Sequence, residues 1–163
     1  MMTQASKKRL VIGLGSSLGR DDAFGPMVLR RLVQAGQACC PDTDLINADT
    51  DLLSHIERFP DYSRIILVDA VLDVEGKIGQ SGTVIALDER LFLAWPDSSP
   101  SVHQLSPLVA VRLFRRLYPD AKTRITLVAY CTDRVVLLSP AGDVLDDEAI
   151  EAGAHLVISL LRE

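Results

Sequence analysis

Two carboxylates and one imidazole are the side chains best placed, by type and spacing, to do chemistry. Asp22 lies in a glycine-rich stretch, Gly13-Leu-Gly-Ser-Ser-Leu-Gly-Arg-Asp-Asp-Ala-Phe-Gly25-Pro26; Asp69 ends the apolar run that starts at Arg64; His103 lies in a Pro- and Ser-rich loop over residues 95–107. Two oxygen donors and one nitrogen donor make a three-ligand set with open positions, suited to a borderline divalent ion such as zinc or nickel. Each residue has an ordinary alternative role. An Asp at a helix start commonly caps backbone N–H groups, Asp69 can close a strand-end turn, and a loop His is commonly solvated.

Two other chemistries compete for the glycine-rich stretch. A dinucleotide fingerprint needs G-x-G-x-x-G at a strand-to-helix junction, so that N–H groups receive a pyrophosphate. Here the spacing is one residue longer, and Asp21 and Asp22 put like charge where a phosphate would sit. Gly15-Ser-Ser17-Leu-Gly19 matches G-x-S-x-G, and Ser17, Asp69 and His103 follow the Ser, Asp, His order of the α/β hydrolases. That elbow, however, needs a helix directly after the serine and a strand from mid-sheet. Cys131 ends a strand with no evident base beside it, so it offers no activated nucleophile.

Positioning such residues requires an α/β frame. Strand-length apolar runs alternate with segments of helical period, the pattern of a mostly parallel sheet covered on both faces. Strands are expected at Leu10–Gly15, Asp44–Ala48, Arg64–Asp69, Gly82–Asp88 and Arg124–Cys131. The fourth follows Gly76 and Gly79, which allow it to fold back as an antiparallel edge. Residues 23–36 form an amphipathic helix with Phe24, Met27, Val28, Leu32 and Ala35 inward, Pro26 in the first turn and Gly36 as the stop. A short helical stretch ends near Pro60. Ser106-Pro107 starts another helix, with Val109, Ala110, Leu113, Phe114 and Leu117 inward and Arg112, Arg115 and Arg116 outward. A last helix runs from Asp146 to Leu161, with Ile150, Ala154, Val157 and Leu161 inward. Asp22 and Asp69 then emerge at the carboxyl ends of strands, where open parallel sheets bind ligands.

The chain has 163 residues, 48% of them hydrophobic, and a net charge of −5, enough for one domain with a single core. An acidic chain whose longest basic run is Lys7-Lys8-Arg9 is not expected to bind nucleic acid. No apolar window is long enough to span a membrane, and no signal peptide is read. Three cysteines without a C-x-x-C pair suit a reducing cytoplasm.

The ordered motifs resemble those of the nickel-iron hydrogenase maturation endopeptidases. The family motif G-N-x-L-x-x-D-[DE]-G-x-G-P aligns with Gly15 to Pro26, its V-D-A with Val68-Asp69-Ala70, and its H-[QE] with His103-Gln104. The chain departs at Ser16, where Asn is usual, and at Ala23, where Gly is usual. After the last strand, Tyr130-Cys131-Thr132-Asp133 stands where a Gly-x-Glu-Pro-like stretch is common. The resemblance implies a single doubly wound α/β domain with a central sheet of about five strands between helices, over residues 1–163. It implies that Asp22, Asp69 and His103 contact nickel carried by the substrate, with no organic cofactor. The implied activity is removal of a C-terminal extension from a nickel-loaded hydrogenase large-subunit precursor in the cytoplasm. A monomer is the default for an enzyme that embraces a large folded client. The serine hydrolase and a non-cleaving metal-dependent chaperone are the alternatives.

Overall fold

The computed structural model of the chain describes residues 8–36, 40–73, 75–94, 106–133 and 145–163. Its strands are β1 (Arg9–Leu14), β2 (Thr43–Asp49), β3 (Arg64–Leu72), β4 (Val84–Asp88) and β5 (Arg124–Thr132). Its helices are α1 (Phe24–Ala35), α2 (Glu89–Leu93), α3 (Pro107–Leu117) and α4 (Asp147–Arg162), with 3-10 stretches at Asp21–Ala23 and Leu53–Asp61. The strands form one sheet in the order β2-β1-β3-β5-β4; all neighbours pair in parallel except β4, which runs antiparallel to β5. The expected doubly wound, mostly parallel five-stranded sheet is therefore present.

Alternation along the central strands separates two apolar layers. Leu10, Ile12, Ile65, Leu67, Ile125 and Leu127 face the layer that holds Phe59, Phe92, Val111 and Phe114. Val11, Ile66, Val68 and Val128 face the layer built from α1 and α4, with Phe24, Leu32, Ile150 and Val157. A period of two carried through strands buried on both faces explains their near-continuous apolar runs.

The antiparallel edge is built by Asp73. Its carboxylate accepts the N–H groups of Lys77, Ile78 and Gly79 at 2.9, 2.7 and 3.1 Å, which folds the chain back toward β4. Burial pushes the Asp73 carboxyl up, but these donors, with Gly76, outweigh it and leave it below the usual carboxylate value. At the amino ends of three neighbouring strands the arginines stand in register, Arg9, Arg64 and Arg124. Arg9 donates to Leu161 O and Arg64 to Leu160 O, and Arg64 pairs with Glu163 at 3.1 Å. Two cations thus serve the last carbonyls of α4, where the helix dipole is negative.

Several expected details differ. β3 continues past Asp69 to Leu72, because β5 keeps pairing with it. The buried side of α1 carries Leu29, while Ala35 is exposed and Met27 only half-buried. The buried side of α3 is Leu108, Ala110, Val111 and Phe114; Leu113 and Leu117 are exposed. Arg115 is not outward. It forms a fork with Glu89, Nε to Oε1 and Nη2 to Oε2 at 2.5 Å each, and donates to the carbonyls of Ala121 and Thr123. These bonds place the last turn of α3 beside the start of β5. The first turn, about 15 Å away at 1.5 Å per residue, therefore lies toward the carboxyl edge of the sheet.

Candidate active site

The crevice lies where the strand order reverses, between β1 and β3. The chain leaves β1 through α1 to β2 on one side, then returns to β3 on the other, so loops part at the carboxyl ends of these strands. β1 pairs with β3 only as far as Gly13 opposite Val68, whereas β3 stays with β5 to Leu72 opposite Thr132. Asp69 is thus the first residue of β3 past the point where β1 leaves it. The alternation of Ile65 and Leu67 puts Asp69 on the side of the sheet covered by α3.

Asp22 reaches the same crevice from the 3-10 turn before α1. Neither that turn nor α1 has a side-chain cap, so the N-cap role does not apply to Asp22. Its carboxylate turns back and accepts Ser16 N–H on Oδ2 at 2.9 Å. Two glycines make this seating possible. A Cβ on Gly25 would lie 2.2 Å from Leu14 O and 2.5 Å from Val68 O, so the first turn of α1 rests on the main chain of both strands. Gly15 has φ +110°, and a Cβ there would lie 2.0 Å from Asp22 O. Ala23, where the resemblance expects Gly, has φ −79° and ψ −3°, a conformation open to any residue.

Asp69 is half-buried, and its Oδ1 accepts Ala70 N–H at 2.9 Å. Burial first, and the negative charge of Asp22 second, push its carboxyl up to about 8; the Ala70 N–H opposes them. The two acids are therefore close enough to feel each other. A divalent cation beside them would remove the repulsion and compensate the burial, so the donor set fits a cation.

Asp21, the acid next to Asp22, has a different role. It is buried, accepts the Thr132 hydroxyl at 2.7 Å, and lies 3.9 Å from Arg20 Nε. This bond ties the loop before α1 to the end of β5. Tyr130 stacks on Phe24 with ring centroids 5.4 Å apart, so the Tyr130–Thr132 stretch supports the site from within. An open polar cavity of about 360 Å³ lies beside this bond, lined by Arg20, Asp21, Ser81, Tyr130, Thr132 and Asp133 among others.

The competing nucleophiles are poorly placed. Ser17 is exposed in a turn closed by Gly19 N–H on Ser16 O, with the first helical residue only at Asp21, so no nucleophile elbow forms. Cys131 is buried, and burial pushes its thiol up, away from the reactive thiolate. His103 lies outside the described residues. Among the described residues no group of three His, Cys, Asp or Glu is gathered tightly enough to hold a metal. The Asp21–Thr132 bond and the seating by Gly25 were missed in the sequence; Gly25-Pro26 at a helix start was the available signal for the second.

No protein-family model matches the chain, and no curated protein matches it in sequence. Solved structures do match in fold. The hydrogenase maturating endopeptidase HybD from E. coli superposes with a TM-score of 0.73 at 21% identity, over 95% of this chain and 92% of that one. The NiFe hydrogenase maturation protease HycI from Thermococcus kodakarensis gives 0.69 at 20% identity, over 98% and 96%. HybD from the same archaeon gives 0.64 at 19%, over 95% and 97%. With near-complete coverage both ways, the doubly wound sheet and the crevice between β1 and β3 belong to a chain that has the fold of the NiFe hydrogenase maturation proteases.

Proposed function

We propose that this protein is an endopeptidase that removes a C-terminal extension from the nickel-loaded large-subunit precursor of a nickel-iron hydrogenase. The observation that carries the reading is that the loop bearing Asp22 and the strand bearing Asp69 both open onto the switch point of this fold, where the charge of Asp22 helps to raise the Asp69 carboxyl. Nickel belongs to the substrate. Asp22 and Asp69 supply carboxylate oxygens to it, and His103 an imidazole nitrogen; α3, whose N-cap Ser106 lies three residues after His103, begins toward the crevice edge, which supports including it. The metal then serves as a recognition tag, so cleavage depends on a loaded precursor. No organic cofactor takes part, and the enzyme acts as a cytoplasmic monomer. No helix among the described residues is long and apolar enough to cross a membrane.

Intact mass spectrometry of a purified precursor tests this directly. With nickel bound, incubation with the protein is expected to release a C-terminal peptide, whereas nickel-free precursor keeps its mass. Asp22→Asn and Asp69→Asn are each expected to slow release at least 100-fold, the scale of removing a primary ligand or charge partner. Equal cleavage of loaded and unloaded precursor would refute nickel recognition. A stable complex with unchanged mass would identify a holding chaperone instead.

A further inference from the structure

Ser16 carries three bonds of the loop between β1 and α1. Its N–H donates to Asp22 Oδ2 at 2.9 Å, its Oγ accepts Leu18 N–H at 3.2 Å, and its carbonyl accepts Gly19 N–H at 3.2 Å. The last two close a tight turn in which the hydroxyl stands in for a backbone acceptor. The first joins that turn to the carboxylate. The base of the turn is fixed too, because Gly15 N–H donates to Asp49 O at 2.6 Å. The terminal torsion of an Asp side chain is broad and soft, so the plane of its carboxylate is set by whatever binds its oxygens.

We propose that Ser16 is a positioning residue for Asp22. Its hydroxyl shapes the turn, the turn aims the Ser16 N–H at Oδ2, and the plane of the carboxylate is fixed for its work in the crevice. This rests on the peptidase reading above. Groups that orient a ligating carboxylate commonly change activity 10–100-fold when removed. The hydroxyl acts one bond further out, so a loss of about 3–10-fold is expected.

Ser16→Ala removes the hydroxyl and keeps the N–H. The Ser16–Leu18 bond is exposed, so the unfolding midpoint is expected to stay put. Ser16→Asn restores a side-chain oxygen that can bond the N–H two residues on. With nickel-loaded precursor, Ser16→Ala should lower kcat/KM about 3–10-fold, and Ser16→Asn should recover to within about twofold of wild type. Amide exchange at Ser16 should be slow in wild type and in Ser16→Asn, and faster in Ser16→Ala and Asp22→Ala. Wild-type kcat/KM in Ser16→Ala, or no recovery in Ser16→Asn, overturns the proposal. Should wild type itself fail to cleave, the peptidase reading falls, and exchange at Ser16 still decides the link to Asp22: equal rates in all four proteins refute it.

Discussion

With no cation beside it, Asp69 is pushed to hold its proton where other carboxylates have lost theirs. Its value is 3.8 in an unfolded chain and about 8 in the folded one. Between these limits the folded state binds the extra proton, so stability falls as pH rises from about 4 to 8 and is level beyond. Asp69→Asn has no such slope. In urea melts it should gain on wild type by roughly 1–3 kcal/mol between pH 4 and pH 9, a range discounted for the water that reaches a half-buried group. A gain that is the same at both ends would contradict the assignment. Asp22→Asn should lower the Asp69 value, followed by carboxyl-carbon NMR, without returning it to 3.8, because burial is the larger cause and the charge of Asp22 the smaller. The same balance accounts for what was readable here. That Asp22 comes after a strand and that Asp69 closes the apolar run of another was plain from the sequence; that Asp21 turns inward to Thr132 was not, since adjacent acids in a sequence carry no record of which one a distant hydroxyl will bind.

Among the elements, the Glu89–Arg115 fork joins α2 to α3. Both side chains are mostly buried, at 20% and 28% exposure, and the guanidinium also serves the carbonyls of Ala121 and Thr123. Arg115→Lys keeps the charge and loses the planar fork, which should cost about 1–2 kcal/mol in the urea midpoint and leave Asp22 and Asp69 unaffected. An unchanged midpoint would show that the fork adds nothing net. This pair also explains where periodicity misled. The i, i+4 spacing of Val109, Leu113 and Leu117 placed them inward, but Arg115 is held inward by four acceptors, and the helix turns Leu108 and Val111 to the core. α2, five residues long, is too short to show a helical period at all. The strands were legible because each face of β1, β3 and β5 has its own apolar layer. The end of β3 was not, since its last residues are fixed by pairing with β5 and not by burial.

At the scale of the molecule, α4 completes the layer that backs the site. Phe24, two residues after Asp22, packs against Tyr130, and a Cβ on Gly153 of α4 would lie 2.7 Å from its ring. The same layer holds Val11, Ile66, Val68 and Val128. A chain cut after residue 145 should therefore lose cooperative unfolding, with collapsed near-ultraviolet circular dichroism and dye binding to exposed apolar surface; a sharp transition would show that the sheet stands without its cover. The clamp of Arg9 and Arg64 on the end of α4 ties the first and third strands to the last described turn of the chain. During synthesis, that clamp cannot close until residues 147–162 have left the ribosome tunnel. The apolar layer behind the acidic pair is then covered only after the strands it covers have emerged.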